Sequence, residues 1–449
     1  MKILLISANR LKAPYPVYPL GLDYVAGVLN ASHDVKIIDL NCFSLKAHGK
    51  MLLNEFNPDL VGIALRNIDN TDTTDPKGFM AEYRELVDFL RKHSSAKIVL
   101  GGSGFTIFPD RILNVLGADF GIVGEGERLG LLVNALENGK DPARVEGVTV
   151  PFKACVVPRP IKTVCLNRNE RKTDHLDYYL EHGAMLNLQT KRGCPFHCIY
   201  CTYPLIEGHR MRKVSPGDAA GRALSLQKKG AKYLFITDSS FNADNGHSIA
   251  VAKAFKKAGL SIPWGAFFTP VNIPDGYFKV LKDAGLTHVE FGTDALSDTV
   301  LSAYKKPFDV EQVFAAHDAA RRQGLYVAHY FLLGGPGETP ETLDETLSNI
   351  DKIKRTVLFL FCGMRIYPGT RLFERARKEG MLQESQELLE PFFYRSPSIS
   401  NASIMEKVEK KADGRINWIT GAGGEETEKI ITRMYESGYS GPLWEYLIR

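Results

Sequence analysis

Three cysteines lie close together near the middle of the chain. Cys194, Cys198 and Cys201 belong to the run KRGCPFHCIYCTYP, with the spacing C-x3-C-x2-C. Three thiolates can hold three irons of a four-iron, four-sulfur (4Fe–4S) cluster, whereas electron carriers of this type supply four cysteines. The fourth iron would keep an open coordination position, and this indicates chemistry at the cluster rather than electron transfer alone.

Two other uses of these cysteines are open. A zinc site needs four nitrogen or sulfur ligands in a closed tetrahedron, and His197 or His209 could supply the fourth. A disulfide fits less well, because seven cysteines scattered over 449 residues are typical of a reducing compartment.

The cysteine motif, its Gly-Cys-Pro context and the aromatic Tyr200 before the last cysteine resemble the radical SAM superfamily. This resemblance implies a 4Fe–4S cluster on Cys194, Cys198 and Cys201, and S-adenosylmethionine (SAM) bound at the open iron with Tyr200 nearby. In that family an electron from the cluster cleaves SAM to a 5′-deoxyadenosyl radical. An electron donor such as a flavodoxin or ferredoxin is implied as a partner.

Strands alternate with helices in the first third of the chain. The apolar runs KILLIS, DVKIID, DLVGIA, KIVLGG and ADFGIVG predict buried parallel strands with helices between them. This alternation favours a doubly wound α/β sheet, which binds ligands at the carboxyl ends of its strands. Glycines and polar residues concentrate in three loops at those ends, although each glycine run taken alone is typical of a tight turn.

The set PLGLxYxAxxL, LVGI, GGSG and GEGE resembles the cobalamin-binding domain that precedes many radical SAM cores. The resemblance places these residues near the corrin or its nucleotide tail: Arg66, Asn67, Gly101, Gly102, Ser103, Gly104, Phe105, Gly124, Glu125, Gly126 and Glu127. The run D-x-H-x-x-G, whose His ligates cobalt in other cobalamin domains, is absent from the sequence. The sequence therefore leaves three options for the lower axial position of cobalt, namely no ligand, water or a side chain of the loop 65–70. A Rossmann-like domain that binds nothing is the alternative.

From residue 184 the alternation of strands and helices resumes. Six apolar runs, from LNLQTKRG to TVLFLFCG, favour a partial (β/α)6 barrel with its active site at the carboxyl ends of the strands. The radical SAM resemblance assigns the following strand-end residues to SAM: Asp238, Ser239, Ser240, Asp294, Gly334, Gly335 and Pro336. A strand-end Asp is also typical of a helix N-cap. His329 and Tyr330 alternate on the fifth strand, so one of the two faces the barrel interior.

These patterns divide the chain into a cobalamin-binding domain (1–144), a linker (145–183), a radical SAM barrel (184–384) and a small α-rich C-terminal segment (385–449). The formal net charge is +4 without a basic block, so nothing indicates nucleic-acid binding. No apolar run reaches the length of a membrane helix, and the N-terminus lacks the features of a signal peptide. We expect a cytoplasmic protein.

The two resemblances together imply a cobalamin-dependent radical SAM enzyme that methylates an unactivated carbon through the 5′-deoxyadenosyl radical and methylcobalamin. Other interpretations are a cobalamin-linked radical cyclase, oxidase or rearranging enzyme without methyl transfer, a radical SAM enzyme with an empty N-terminal domain, and a zinc-stabilised binding protein. A methylthiotransferase is disfavoured, because the N-terminal domain contains only Cys42 and no second cluster motif. The sequence leaves open whether the substrate is a small molecule, a lipid or a peptide.

Overall fold

The computed structural model describes residues 1–12, 15–73, 75–153, 158–161, 174–271, 273–383, 385–421 and 425–448. Its N-terminal part contains a six-stranded sheet in the order β2–β1–β3–β4–β5–β6. The strands are β1 (Lys2–Ser7), β2 (Asp34–Asp39), β3 (Leu60–Ala64), β4 (Lys97–Gly101), β5 (Phe120–Ile122) and β6 (Val148–Thr149). The first five are parallel, as predicted, and the short β6 pairs antiparallel with β5 at the edge.

Helices cover both faces of this sheet. They are α1 (Leu20–Leu29), α2 (Lys50–Phe56), α3 (Met80–His93), α4 (Ser103–Ile107), α5 (Pro109–Leu116) and α6 (Leu129–Glu137), and a π-helical turn over Leu45–Gly49 leads into α2. Strand β1 is buried from Ile3 to Ser7 because helices pack on its two sides. Helix α5 begins with Pro109 and ends at Gly117 in the left-handed conformation, a common pair of helix boundaries.

The second part is built on a seven-stranded parallel sheet in the order β17–β14–β13–β12–β11–β10–β7. The strands are β7 (Met185–Leu188), β10 (Tyr233–Ile236), β11 (Trp264–Phe268), β12 (Leu286–Asp294), β13 (Tyr326–Leu333), β14 (Val357–Cys362) and β17 (Trp418–Thr420). The six strands predicted from the sequence are present. The seventh, β17, comes from the C-terminal segment and pairs with β14. Its three residues are too few to show a strand period in the sequence.

Shorter elements and helices surround this partial barrel. Two small antiparallel pairs are β8 (Lys191–Arg192) with β9 (Arg212–Lys213), and β15 (Met364–Arg365) with β16 (Phe393–Tyr394). The helices are α7 (Asp174–Glu181), α8 (Tyr203–Glu207), α9 (Pro216–Lys228), α10 (Asn245–Ala258), α11 (Tyr277–Lys282), α12 (Asp298–Ala303), α13 (Val310–Arg322), α14 (Pro340–Ile350), α15 (Arg371–Lys378), α16 (Asn401–Ala412) and α17 (Glu425–Glu436).

Side chains alternate between the two faces of the barrel strands. Leu234, Ala266 and Phe291 pack beneath the outer helices, whereas Phe235 and Phe267, which contact each other, face the interior. No described helix is both long enough and apolar enough to span a membrane. Of the predicted linker, the structure describes 145–153, 158–161 and 174–183; Cys155 and Cys165 lie outside the described residues.

Candidate functional site

The cysteine loop follows β8 and is fixed by backbone contacts. Gly193 adopts a φ of +89°, and a Cβ on it would stand 2.4 Å from the carbonyl oxygen of Arg210, so this position requires glycine. The N–H of Cys194 donates to Gly208 O at 3.1 Å. Further along, the N–H of Ile199 donates to Tyr304 O at 3.1 Å, which ties the loop to the end of α12.

The three cysteines are free thiols in this loop, with Cys194 buried and the other two partly buried. Burial raises the pKa of Cys201 to about 12. Within the described ranges, no three His, Cys, Asp or Glu side chains converge closely enough to ligate one metal ion. In a 4Fe–4S cluster each cysteine binds a different iron, so the sulfurs need not converge on a point. The three thiols therefore suit a cluster better than the single zinc ion considered above.

A buried ion pair lies at the start of the loop. Asp238, which follows β10, is fully buried and accepts hydrogen bonds from Thr190 N at 2.7 Å, Thr190 Oγ1 at 2.6 Å and Lys191 N at 3.2 Å. Lys191 Nζ donates to the same carboxylate at 2.8 Å and to Phe241 O at 3.0 Å. Both carboxylate oxygens are thus occupied by this chain. Asp238 thus anchors the start of the cysteine loop, and its contact with SAM stays a prediction.

The two serines after Asp238 are held differently. Ser239 is partly exposed and its hydroxyl donates to Gly193 O at 3.2 Å. Ser240 is buried, donates to Asn242 Oδ1 at 3.1 Å and accepts from Thr269 Oγ1 at 2.9 Å. Ser239 is therefore the serine that stays next to the cysteine loop with an accessible side.

A second buried cluster of polar groups lies on the other side of the cysteine loop. The Tyr200 hydroxyl donates to Asp294 Oδ2 at 2.5 Å, and Lys306 Nζ donates to the same oxygen at 2.8 Å. Burial alone would lower the pKa of Lys306, but the Asp294 carboxylate and the nearby sulfurs of Cys198 and Cys201 raise it. Lys306 thus places a buried positive charge beside the cysteines.

The predicted turn after β13 is linked to the same loop. Gly334 has a φ of +81° and its N–H donates to Glu338 Oε2 at 3.3 Å. The N–H of Gly335 donates to the Tyr304 hydroxyl at 3.1 Å, and a Cβ on Gly335 would stand 2.4 Å from that oxygen. Two N–H groups of the turn are thus satisfied by the protein, and Pro336 has none to offer.

A cavity of about 340 Å³ lies between the N-terminal sheet and the barrel. This volume is within the usual range for a small-ligand pocket, about 300–1000 Å³. The carboxyl ends of both sheets open into it. The N-terminal part contributes, among others, Asn9, Arg66, Gly101, Gly102, Ser103, Gly124, Glu125, Gly126 and Glu127, and the barrel contributes Asn187, Gln189, Arg192, Tyr203, Glu207 and Thr237.

The GGSG segment forms one wall of this cavity. Gly102 has a φ of +100°, and a Cβ there would stand 2.7 Å from Leu65 O, so two backbone segments meet only because the residue is glycine. The N–H of Gly104 donates to Leu65 O at 2.9 Å, and Ser103 Oγ donates to Arg66 O at 2.8 Å. These bonds join the loops that follow β3 and β4 into one rim.

Three residues predicted to contact the cofactor, Asn67, Gly104 and Phe105, are not part of the cavity lining. Phe105 is fully buried and packs against Gly121 of β5, and its contact with the cofactor stays a prediction. Asn67 does not line the cavity, and its carbonyl accepts from the Tyr83 hydroxyl at 2.5 Å. Sequence position alone does not show which way a side chain of a short helix or loop faces.

The carboxylates of the GEGE segment join the two parts of the chain. Glu125 pairs with Arg192 Nη1 at 2.9 Å and with Arg212 Nη1 at 2.6 Å, and Glu127 pairs with Arg192 Nη2 at 2.7 Å. Burial would raise the pKa of Glu125, but the N–H of Ile161 and the two guanidinium groups together lower it. We call this group of four side chains the rim clamp.

A second ion pair joins the parts on the opposite side. Asp69, in the loop after β3, accepts from Arg365 Nε at 2.8 Å, and both side chains are buried. Thr73 Oγ1 donates to Cys362 O at 2.6 Å nearby. The loop predicted to contact cobalamin is therefore also docked onto the end of β14.

Two polar groups in the cavity have capacity to bind a ligand. Asn9 follows β1, and its buried Nδ2 lacks a hydrogen-bond partner among the described residues. The Arg66 side chain faces the cavity, and the protein around it keeps it away from bulk water. This desolvation lowers the pKa of its guanidinium. Asn9 was missed by the sequence patterns, although its position directly after a first parallel strand is a signal for a ligand contact. The unpartnered Asn9 donor, the Arg66 guanidinium and the glycine rim fit a ligand rich in hydrogen-bond acceptors.

Comparisons with known proteins agree with these features. Residues 188–350 match the family model of the radical SAM superfamily, and residues 6–131 match that of the B12 binding domain. An uncharacterized methyltransferase of Pyrococcus horikoshii is 28% identical over 85% of this chain and 84% of its own length. Tryptophan 2-C-methyltransferase of Streptomyces laurentii is 23% identical over 82% of this chain and 73% of its own length.

The fold also matches a solved structure. A radical S-adenosylmethionine methyltransferase from Kitasatospora setae, with cobalamin and a [4Fe-4S] cluster bound, superposes with a TM-score of 0.86, covers 99% of this chain and 97% of that one, and is 21% identical. At that identity the likeness establishes the fold alone. The two matched domains imply a 4Fe–4S cluster, SAM and cobalamin as cofactors. The chain belongs to the B12-binding radical SAM family and is a cobalamin-dependent radical SAM enzyme.

Proposed function

We propose that the enzyme is a methyltransferase that acts on a carbon atom of its substrate. The observation that carries the proposal is the shared cavity, onto which the carboxyl ends of both parallel sheets open. A group carried by the N-terminal domain can reach a substrate in the barrel only if the two openings face each other. Both relatives described above are named as methyltransferases, which supports the same reaction class.

The chain's own residues suit the three cofactors. Cys194, Cys198 and Cys201 would hold the iron–sulfur cluster, and the buried charge of Lys306 would offset part of the negative charge of the thiolates. When bound, the cluster supplies the electron that cleaves SAM, and cobalamin carries the methyl group. Ser239 and the turn Gly334–Pro336 adjoin the cysteine loop or connect to it through Tyr304, and we assign SAM to this region.

Cobalamin would occupy the cavity between the sheets. The glycines Gly101, Gly102, Gly124 and Gly126 let a flat ring approach the backbone, and Asn9 Nδ2 would donate to an acceptor of the ligand. Arg66 is the side chain of the β3 loop that projects into the cavity. A guanidinium keeps its proton and is a poor metal ligand, so Arg66 would contact cobalamin as a hydrogen-bond donor and not as a ligand of the metal.

The rim clamp and the pair Asp69–Arg365 would hold the two domains in one relative position. Reaction between groups on different domains is efficient only when the reacting atoms stay close and aligned. Both ion pairs are buried, so water cannot replace them easily and the geometry of the cavity is maintained.

The test is anaerobic turnover of the reconstituted enzyme with SAM and candidate substrates, with product masses measured. Formation of 5′-deoxyadenosine together with S-adenosylhomocysteine, and a gain of one methyl group in the substrate, supports the proposal. Formation of 5′-deoxyadenosine with an altered but unmethylated substrate would establish the cyclase, oxidase or rearrangement class instead.

A further inference from the structure

The inner face of the barrel carries a group of aromatic rings that the cofactor contacts above do not use. Tyr330 stacks on Phe359, with ring centroids 4.6 Å apart and planes inclined by 12°, and lies nearly parallel to Phe361 at 6.5 Å and 4°. Phe267 meets Tyr330 edge-on at 6.1 Å. Rings stacked 4.6 Å apart lie face to face, so Phe359 covers one face of the Tyr330 ring. Phe361 continues this wall of parallel rings, and Phe267 of β11 meets Tyr330 at 68°.

The position beside these rings at Gly292 is open. Gly292 of β12 is in register with Tyr330, and a Cβ built on it would meet no heavy atom within 4 Å. Phe267 is 36% exposed although Ala266 and Phe268 beside it are buried, and Tyr330 and Phe361 are partly exposed. We call the space bounded by Phe267, Gly292, Tyr330 and Phe361 the aromatic slot. Phe267 continues the row of inward-facing residues toward Thr237, which lines the shared cavity.

Hydrogen bonds to Glu290 fix the orientation of the Tyr330 ring. The Tyr330 hydroxyl donates to Glu290 Oε2 at 2.8 Å, and Trp444 Nε1 donates to Glu290 Oε1 at 3.0 Å. Glu290 is fully buried, so its carboxyl is not offered to a ligand in the slot. Tyr330 cannot turn away without breaking this bond, and its ring is therefore held in one orientation.

From this geometry we infer that the substrate enters the aromatic slot with a planar aromatic or heteroaromatic ring, a conclusion that rests on the proposed methyl transfer. Aromatic rings gain additional stabilisation from offset stacking and edge-to-face contacts, beyond the burial of apolar area. A flat ring can do both here, stacking on Tyr330 and Phe361 and meeting the edge or face of Phe267. A flexible alkyl chain would gain only the apolar burial and would lose rotational freedom on entering.

The test compares two neutral probes of the same skeleton, planar 2-naphthol and saturated decahydro-2-naphthol. Binding is measured by anaerobic calorimetry on the enzyme reconstituted with cluster and cobalamin. We expect 2-naphthol to bind at least about tenfold more tightly, which corresponds to about 1.4 kcal/mol. Saturating SAM should leave its affinity within about twofold, because the slot lies below the region assigned to SAM.

Variants show which residues produce the preference for the planar probe. Phe267→Leu keeps an apolar side chain but removes the ring, and should reduce the preference for 2-naphthol about threefold or more. Gly292→Val fills the slot without a clash and should weaken both probes about tenfold, while its thermal unfolding stays at or above that of the unaltered enzyme. Phe152→Leu changes a Phe that is 92% exposed, and serves as the matched control with unaltered binding.

Several results would overturn the inference. Equal affinity of the two probes would mean an apolar slot without ring selection, as for an alkyl lipid. Displacement of 2-naphthol by SAM would assign the slot to SAM, and absence of binding by either probe would leave no ring site. The turnover assay for methyl transfer, run on the same preparation, reports on the proposed function separately, because it depends on SAM products and not on probe affinity.

Discussion

Replacement of Asp238 by Asn distinguishes two roles for this residue, a ligand of SAM or an anchor of the cysteine loop. The side chain lies at the end of β10, where the radical SAM resemblance places a contact with SAM. In the structure its carboxylate accepts four hydrogen bonds from Thr190 and Lys191, and both members of the ion pair are fully buried. An Asn side chain would leave the Lys191 ammonium buried without a counter-charge.

The expected cost follows from that burial. Removing one partner of a buried ion pair typically lowers the free energy of unfolding by about 3–5 kcal/mol. Lys191 precedes Cys194 by three positions, so a displacement of Lys191 would also move the start of the cysteine loop. We therefore expect Asp238→Asn to destabilise the barrel by about this amount and to lower the iron content after reconstitution.

The measurements are urea unfolding of the metal-free protein and iron analysis of the reconstituted protein. The double variant Asp238→Asn/Lys191→Met removes both charges and should recover most of the lost stability. Asp244→Asn is a matched control on the same side of the barrel. Its carboxylate pairs with Lys213 near the surface, where such pairs contribute about 0–1 kcal/mol, and Asn can still cap α10.

A different outcome would refute the reasoning. Should Asp238→Asn unfold like the unaltered protein and keep its iron, yet lose SAM affinity, the carboxylate would be a SAM ligand as the sequence pattern predicts. Failure of the double variant to recover stability would show that the hydrogen bonds to Thr190, and not the charge of Lys191, dominate the anchor.

Three further predictions concern other buried groups. Lys306→Met removes a positive charge beside Cys198 and Cys201 and should shift the cluster midpoint potential to more negative values by tens of millivolts, measured by EPR titration with the exposed Lys305→Met as control. Gly102→Ala should lower the stability more than Gly117→Ala does and should abolish cobalamin binding, which absorption spectra of the reconstituted protein report. Both glycines have a positive φ, but only at Gly102 would the added Cβ lie 2.7 Å from a carbonyl oxygen, that of Leu65. Burial raises the pKa of Glu290 to about 7, whereas in the unfolded chain this carboxyl loses its proton near pH 4.5, so the free energy of unfolding falls as pH rises from about 4.5 to 7. Glu290→Gln should flatten this pH dependence and gain up to about 3 kcal/mol of stability at pH 8, as measured by urea unfolding at several pH values.

The sequence was sufficient to predict the features that depend on short segments. The spacing of Cys194, Cys198 and Cys201 and the alternation of strands and helices led to both sheets and to the cysteine loop. Groups that meet only through the fold were not predictable. Lys306 lies 105 positions after Cys201 in the chain, and nothing in its local sequence marks it as buried beside the cysteines.

The same limit applies to two of the predicted ligand contacts. Asp238 and Phe105 both stand at positions where a ligand contact is typical, but the chain's own groups satisfy or cover them. A sequence pattern shows that a residue lies at the carboxyl end of a strand. It does not show whether a distant lysine or a neighbouring strand already contacts that residue in the folded chain. The alternation on β13 left His329 and Tyr330 as equal candidates, and ring contacts identify Tyr330 as the inner residue.

The rim clamp and the pair Asp69–Arg365 suggest why the cavity between the domains is lined largely by small and apolar groups. A buried ion pair adds little net stability, since desolvation offsets the attraction of the charges, but it tolerates few alternative geometries. Apolar contacts can slide, whereas Glu125 must meet two guanidinium groups at once and Asp69 must meet Arg365 on the opposite side. Placing this constraint at the rim leaves the interior free for the cofactor and the substrate. Two domains held at two separated points can turn only about the line that joins these points. This restricts changes in the distance between the proposed cofactor site on one sheet and the proposed substrate site in the other.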